Sequence, residues 1–250
     1  YREALDGFPS EAEAAFLAMP GAFGEDGRLQ RMLADRGIPY TGSGPEASRR
    51  AMDKWIAREC FRGAGVSVSD AFLADGLETR EVERRIGRVC GGYPVVVKPT
   101  LGGSSIGVSR VEGPSDLPAA LASARAHGPC MVERWVEGRE MTLGILEGVV
   151  LPLIELKPAR KFYDYQAKYA PGSGTVYQVA PELSKEAERE FRRQSEAAFG
   201  GLGCFGFGRA DGIIDRSGQG VILEINTLTG MTPTSLLPKA AAAAGVDFPE

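Results

Sequence analysis

Two strand-like runs near the C-terminus carry polar residues at a spacing that could gather them around one cation. The runs "FGFGRADGIID" and "VILEINT" are separated by "RSGQ", a pattern typical of a β-hairpin. If Asp215 pairs with Gly220 where the hairpin closes, Asp211 lies opposite Glu224. Side chains alternate along a strand, and cross-strand partners share a face. One face of the hairpin then carries four polar side chains: Arg209, Asp211, Glu224 and Asn226.

Two directly opposed carboxylates repel each other, so this arrangement calls for a bound cation. Carboxylate and amide oxygens are hard ligands suited to magnesium, which keeps its other positions for water and phosphate oxygens. The alternative is a solvated face with an ordinary arginine–carboxylate pair, and a slip of one residue in register would disperse the cluster. On the opposite face, Leu223 and Ile225 are expected to pack inward against Ala210 and Gly212.

A glycine-rich loop follows a lysine at the end of an apolar strand. In "VVVKPTLGGSSIGV", Lys98 precedes glycines that let backbone N–H groups approach phosphate oxygens closely. The loop matches neither GxxxxGK[ST] nor GxGxxG, and a plain hairpin loop is the alternative. Lys54, on a predicted helix, is a second candidate cation, and its alternative role is a solvated surface charge.

Two further segments carry candidate binding residues. The strand in "MVERWVEGRE" contains Glu133 and Glu140, and an acceptor at its edge could meet an adenine amino group or ribose hydroxyls, although most such glutamates lie on the surface. The segment "KFYDYQAKYAPGSGT" interleaves lysines with aromatic residues, among them Tyr163 and Tyr169. A loop of that length usually has a binding role or no fixed structure.

Composition limits the chemistry. The 250 residues are 43% hydrophobic with a formal net charge of -4, which favours a globular protein with a small-molecule partner over a nucleic-acid partner. No apolar run could cross a bilayer and the first residues do not resemble a signal peptide, so the default location is the cytoplasm. The cysteines form no CxxC pair. The single histidine, His127, is expected in a surface loop, so phosphoryl chemistry fits better than a nucleophilic triad.

Short β-branched runs alternate with helical stretches, which predicts an α/β or α+β fold. Helices are predicted for "RLQRMLADRG", which Gly37 ends, and for "ASRRAMDKWIAREC", "SDLPAALASARAHG" and "KEAEREFRRQSEAAFGGLG". Another helix is predicted to start near Thr232. Strands are predicted for "YPVVVKPT", "VSRV", "CMVERWV" and, on both sides of a turn at Glu147-Gly148, for "EMTLGILEGVVLPLIEL".

In this order the segments resemble the D-alanine:D-alanine ligases of the ATP-grasp superfamily. The resemblance rests on "FGEDGRLQRMLADRGIPYTGSG", "AMDKWIAREC", "YPVVVKPTLGGSSIGVSRV", "FYDYQAKY", "GCFGFGRADGIID" and "LEINTLTGMTPTSLLPKAA". It implies ATP held between two antiparallel sheets, with a residual N-terminal α/β substrate domain at 1–43, a central ATP-grasp domain at 44–132 and a C-terminal ATP-grasp domain at 133–250. It also implies a cytoplasmic homodimer that supplies peptidoglycan precursors, with neither a nucleic-acid nor a membrane partner.

The resemblance also implies a role for each matching residue. Those that would contact ATP are Lys54, Lys98, Glu133, Trp135, Val136, Glu140, Tyr163 and Lys168. Those that would hold magnesium, or manganese, are Asp211, Glu224 and Asn226. Those that would position the two D-alanine molecules are Ser104, Tyr169 and Ser235. Arg209 and the backbone N–H of Gly230 would stabilise the oxyanion of the tetrahedral intermediate.

The chain departs from the family pattern on the substrate side. Pro20-Gly21 stands where the family has a histidine and a glycine, and Thr229 stands where proline is usual. The family's initial strand and glycine-serine loop, with a glutamate that holds the first substrate, have no counterpart in the segment given. Two alternatives are therefore kept: a ligase with another acceptor, such as D-lactate, D-serine or another amino acid, and a pseudo-ligase that binds nucleotide without turnover.

Overall fold

The computed structural model describes residues 12–157, 175–233 and 235–247. Strands in the first half of the chain form a four-stranded antiparallel sheet; they are β1 (Ala71–Leu73), β2 (Val95–Pro99), β3 (Ser109–Val111) and β4 (Cys130–Arg134). Their order in the sheet is β1-β4-β2-β3. Strands in the second half form a five-stranded antiparallel sheet; they are β5 (Gly138–Leu146), β6 (Val149–Lys157), β7 (Val176–Val179), β8 (Phe207–Asp215) and β9 (Gly220–Asn226). Their order is β7-β6-β5-β8-β9.

Helices cover both sheets. They are α1 (Arg28–Asp35), α2 (Pro45–Met52), α3 (Lys54–Gly63), α4 (Thr79–Arg85), which continues as a π-helical turn at Ile86–Cys90, α5 (Leu117–Arg125), α6 (Lys185–Leu202) and α7 (Leu236–Ala243). Helices α4 and α5 share a core with β2. Helix α6 packs under the five-stranded sheet, where Phe191 is fully buried, and α7 contacts β5 and β6. Within the described ranges no helix is long and apolar enough to span a membrane.

The mixed helix and strand content and the two antiparallel sheets confirm the predicted α+β class. The turn predicted at Glu147 and Gly148 is confirmed, since both residues have positive φ, at 48° and 77°, between β5 and β6. Gly37 follows α1 with φ of 69°, as expected for a helix-ending glycine. The division of the chain into three domains stays a prediction.

One predicted helix is in fact two. The stretch "ASRRAMDKWIAREC" was expected to be continuous, but Asp53 has φ of -93° and ψ of 105° and separates α2 from α3. The Asp53 carboxylate accepts hydrogen bonds from the N–H groups of Trp55 and Ile56, so it caps the start of α3. Asp53 also forms an isolated antiparallel bridge with Leu101. The break therefore places Lys54, the first residue of α3, beside the glycine-rich loop.

Candidate active site

The hairpin of β8 and β9 has the predicted register where the polar residues lie. Asp211 is the cross-strand partner of Glu224, and Arg209 is the partner of Asn226. Beyond Asp211 the register shifts by one residue, so Gly212 pairs with Ile222. Ile222 is fully buried in the core under the sheet, whereas Leu223 is half-buried. The expectation that Leu223 packs inward was wrong, because a β-bulge gives that position to its neighbour.

Asp211 is held by donors from three strands. Arg209 donates to both carboxylate oxygens at 2.8 Å, and Nδ2 of Asn226 donates at 2.8 Å. The hydroxyl of Thr142, on β5, donates to Oδ1 at 2.5 Å. The arginine–carboxylate pair that the sequence left open as an alternative is thus present. Sequence reasoning missed Thr142, because the alignment of β5 with β8 cannot be read from either strand alone.

Glu224 differs from its partner across the hairpin. Within the part of the chain that the structure describes, Glu224 has neither a hydrogen bond nor an ion pair. A second carboxylate, Glu25, lies within electrostatic reach of Glu224. Burial and then Glu224 raise the pKa of Glu25, while its hydrogen bond to the backbone of Gly21 and the charge of Arg209 lower it, with a net upward shift. Sequence reasoning gave Glu25 no role, although it lies in the quoted "GEDG" segment.

The donors fit a hard divalent cation. Two carboxylates and one amide face the same side of the hairpin, and the Asn226 nitrogen is used on Asp211, so the amide oxygen is the atom that can coordinate. Among the described residues, no group of three or more His, Cys, Asp or Glu side chains forms a metal-binding cluster. The candidate set at the hairpin therefore depends on an asparagine as well as on Asp211 and Glu224.

Gly230 and Ser235 lie together just beyond the end of β9. A Cβ atom at Gly230 would lie 2.7 Å from Oγ of Ser235, so the two residues are in close contact and a larger residue at position 230 would displace the serine hydroxyl. Ser235 precedes α7, and its hydroxyl oxygen accepts a hydrogen bond from the Thr232 N–H at 3.2 Å. The resemblance implies an oxyanion contact for Gly230 and a substrate contact for Ser235, and in the structure the two residues touch.

The two candidate phosphate lysines both lie near the start of the connection that follows β2. Lys98 is near the end of β2, while Lys54 donates from Nζ to the Gly102 carbonyl at 2.5 Å. The backbone N–H of Lys54 also bonds the Thr100 carbonyl at 2.8 Å. Two hydrogen bonds therefore connect the start of helix α3 to the loop that begins after β2.

The glycine-rich loop joins β2 to β3 as a hairpin connection, as predicted. Ser104 and Ser105 both have positive φ, at 54° and 57°, a region that side chains other than Gly, Asn and Asp seldom adopt. At the base of the loop, a Cβ on Gly107 would lie 2.8 Å from the ring of His127. His127 is exposed in a turn, which confirms its expected surface position.

Glu133 is buried among cations instead of lying on the surface. It is 4% exposed, and Lys98 donates to one carboxylate oxygen while Arg58 and Ser69 donate to the other. Burial alone would raise the pKa of Glu133, but the charges of Lys98 and Arg58 outweigh it and hold the pKa below its ordinary value. Sequence reasoning paired neither Arg58 nor Ser69 with this glutamate, because they are 75 and 64 residues away from it.

The predicted nucleotide-base contacts cluster where the chain passes between the sheets. Trp135 and Val136 connect β4 to β5, Glu140 lies on β5, and all three are half-buried. The Arg110 guanidinium lies 4.3 Å from the centre of the Trp135 ring, a cation–π contact that fixes the indole. Three other predicted residues, Tyr163, Lys168 and Tyr169, lie outside the described residues.

Comparisons with known proteins show which family the chain resembles. The family model described as D-ala D-ala ligase C-terminus matches residues 71–250. A D-alanine–D-alanine ligase of Laribacter hongkongensis is 43% identical over 238 residues, which are 94% of this chain and 75% of the relative. The crystal structure of a D-alanine–D-alanine ligase from Bacillus anthracis has a TM-score of 0.86 and 34% identity, covering 99% of this chain and 80% of that one. A crystal structure of a D-alanine–D-alanine ligase from Bacillus anthracis complexed with ATP has a TM-score of 0.83 and 31% identity, covering 99% of this chain and 79% of that one.

The two antiparallel sheets, the glycine-rich loop and the polar hairpin define a ligase of the ATP-grasp class. The chain belongs to the D-alanine–D-alanine ligase family.

Proposed function

We propose that this chain joins two D-alanine molecules into D-alanyl-D-alanine with cleavage of ATP to ADP and phosphate, as a step in making peptidoglycan precursors. The observation that carries the proposal is the Asp211–Glu224 pair, with Asn226 and Arg209 on the same face of the hairpin. Such a patch suits a metal-bound triphosphate, because phosphoryl transfer depends mainly on positioning and charge stabilisation.

In the first step, a carboxylate oxygen of one D-alanine attacks the terminal phosphorus of ATP. The bond to ADP breaks, and an acyl phosphate forms. Lys54 and Lys98 support this step as phosphate contacts, because both lie beside the loop that follows β2. Asp211, Glu224 and Asn226 would hold magnesium or manganese, which when bound neutralises charge on the phosphate oxygens. Lys168 is proposed as a further phosphate contact.

In the second step, the amine of the other D-alanine attacks the acyl carbon, loses a proton, and phosphate leaves with the former carboxylate oxygen. The oxyanion that forms is proposed to be stabilised by Arg209 and by the backbone N–H of Gly230. Ser235, which touches Gly230, would orient the carboxylate of the second D-alanine. Ser104 and Tyr169 are proposed to position the substrates from two loops, and closure over the site would keep water from the acyl phosphate.

The nucleotide base is proposed to lie between the sheets. Trp135 and Val136 would contact adenine, with Glu140 on the ribose and Tyr163 completing the site. Glu133 is also proposed near the adenine, although its two oxygens are engaged by Lys98, Arg58 and Ser69. Glu133 would therefore affect ATP binding mainly by holding Lys98.

The assembly and location are also proposals. We infer a homodimer in the cytoplasm, which is supported by family resemblance and by the lack of a membrane-spanning helix in the described ranges. Sedimentation of the purified chain would test the dimer, since a monomer at working concentration contradicts it.

A phosphate-release screen of the purified chain with magnesium and ATP tests the activity. D- and L-amino acids and D-lactate are supplied singly and in pairs, and the products are identified by mass spectrometry. The proposal expects release that depends on D-alanine and yields its dipeptide. A mixed product with D-lactate or D-serine would indicate the altered-acceptor ligase. ATP binding without release under any condition would indicate a pseudo-ligase.

A further inference from the structure

Arg58 is a buried cation that the steps above leave unused. It lies on α3, one turn after Lys54, and is 1% exposed. Its guanidinium donates to Oε1 of Glu133 and to the backbone carbonyl of Ser69. The Ser69 hydroxyl donates to the same Glu133 oxygen. Because removing an arginine from water is costly, a buried one normally needs hydrogen-bond acceptors, and here the two terminal nitrogens of Arg58 have them while its Nε has none among the described residues.

The other oxygen of Glu133 holds Lys98. The Lys98 ammonium donates to Oε2, and this lysine is 8% exposed. The terminal torsion of a glutamate is soft, so a carboxylate held through one oxygen can still rotate. Arg58 and Ser69 hold Oε1 and thereby fix the direction of Oε2. The position of the Lys98 ammonium therefore depends on a residue that it does not touch.

The cluster has an excess of positive charge. Arg58 and Lys98 are both cations, and among the described residues Glu133 is the one anion that forms an ion pair with either of them. All three side chains are nearly inaccessible, with exposures of 1%, 8% and 4% respectively. An unbalanced charge is unfavourable away from water, so an anion next to Lys98 would be attracted more strongly than at the surface.

The same contacts join the two sheets. Ala57 and Phe61, which flank Arg58 on α3, are buried in the core under the five-stranded sheet. Glu133 and Lys98 lie on β4 and β2 of the four-stranded sheet. The ion pair of Arg58 and Glu133 therefore connects the four-stranded sheet, which carries Lys98, to the five-stranded sheet, which carries the β8–β9 hairpin. A triphosphate that contacts both Lys98 and the hairpin requires a fixed distance between the two.

We propose that Arg58 is a positioning residue for ATP, which acts through Glu133 to hold Lys98 where the nucleotide phosphates bind. This inference rests on the proposed function for the identity of the nucleotide. Arg58 itself touches neither substrate nor cofactor. Its loss weakens the binding of ATP and leaves the D-alanine contacts at the hairpin and α7 unaffected.

A double-mutant cycle tests the proposal through the dissociation constant of magnesium-ATP, measured by titration calorimetry. The variants are Arg58→Gln, Lys98→Gln and the pair together. Arg58→Gln is expected to weaken ATP binding about tenfold, and Lys98→Gln by at least as much. The double variant is expected to bind no more weakly than Lys98→Gln, because Arg58 acts through that lysine. Effects that multiply in the double variant, or unchanged affinity in Arg58→Gln, would overturn the proposal.

Two further variants separate positioning from folding. Arg62→Gln removes an exposed arginine from the same helix and is expected to leave ATP affinity unchanged. Arg58→Lys keeps the buried charge but cannot donate to Glu133 and to the Ser69 carbonyl as a fork does. If Arg58→Gln does not fold, the same cycle is run with Arg58→Lys. Arg58→Lys alone should weaken ATP binding about threefold, and adding it to Lys98→Gln should weaken ATP binding no further.

Kinetics add a readout that a general structural defect would not give. In Arg58→Gln the KM for ATP should rise while the KM for D-alanine stays at the wild-type value; a parallel rise in both would contradict the proposal. The measurements also distinguish a failure of the Arg58 proposal from a failure of the proposed activity. A wild-type chain that binds ATP but releases no phosphate refutes the proposed activity. The double-mutant cycle still tests the role of Arg58 in that case, because it measures ATP binding alone. A wild-type chain that does not bind ATP overturns the role of Arg58.

Discussion

Asp211 and Glu224 are direct cross-strand neighbours, yet the two carboxylates have different surroundings. Asp211 accepts hydrogen bonds from Arg209, Asn226 and Thr142. Glu224 has no such donor among the described residues and lies near another carboxyl, Glu25. An acidic face with one compensated and one uncompensated carboxylate attracts a cation to the second.

Glu224→Gln should abolish ATP turnover while the fold stays intact. The change removes one charge from the proposed metal site and also relieves the repulsion with Asp211, so the melting temperature should not fall. Phosphate release in the presence of D-alanine should drop about a hundredfold or more. Glu137→Gln, which removes an exposed ion pair with Arg216, is the matched control. Wild-type turnover in Glu224→Gln would refute the metal assignment.

Thr142→Val should weaken the response to magnesium. Valine has the shape of threonine but cannot donate to Asp211, so the carboxylate loses one of the groups that orient it. The magnesium concentration for half-maximal rate should rise about tenfold, and Thr142→Ser should stay near the wild type. An unchanged magnesium profile in Thr142→Val would mean that this hydroxyl does not orient the ligand.

Thr229→Val should leave stability unchanged or raise it. Thr229 is 5% exposed, and its hydroxyl oxygen has no hydrogen-bond partner among the described residues. Replacing an unsatisfied buried hydroxyl by a methyl group removes a desolvation cost of about 1 kcal/mol or more. Urea denaturation measures the free energy of unfolding. A clear loss of stability would show that the hydroxyl bonds an ordered water.

Cys90 should react slowly with iodoacetamide in the folded protein. Burial, with a smaller contribution from Asp70, raises the pKa of its thiol from 9.0 to about 11, so the reactive thiolate is about a hundredfold scarcer near neutral pH. Because the folded state keeps a proton that the unfolded chain loses near pH 9, this contribution to stability is complete below that pH and is lost between 9.0 and about 11. Mass spectrometry of the labelled chain gives the rate, and labelling as fast as in denaturant would be contrary to expectation.

The sequence contained enough information for the polar part of the hairpin. The alternating pattern predicted the pairing of Arg209 with Asn226 and of Asp211 with Glu224, but the predicted closure was wrong by one residue, because Gly220 pairs with Ile214 and not with Asp215. The bulge next to Asp211 could not be predicted, because it brings Ile222 into a core shared with α6, and the pattern of the two strands does not show that core.

Long-range contacts were the other limit. The break at Asp53 has a local cause in its capping hydrogen bonds, but a helical pattern continues on both sides and conceals it. The surroundings of Glu133 depend on Arg58 and Ser69, which reach it only after the two sheets have come together. The periodicity of a single strand does not reveal such partners, and for that reason the sequence did not show that Glu133 is buried.

The most direct test follows heavy oxygen from the carboxylate of D-alanine into the inorganic phosphate released from ATP. If the carboxylate attacks the terminal phosphorus beside Asp211 and Glu224, each phosphate carries one labelled oxygen and each labelled phosphate corresponds to one dipeptide. Unlabelled phosphate would show that water attacks ATP directly, and it would contradict the assignment of this hairpin to acyl-phosphate chemistry.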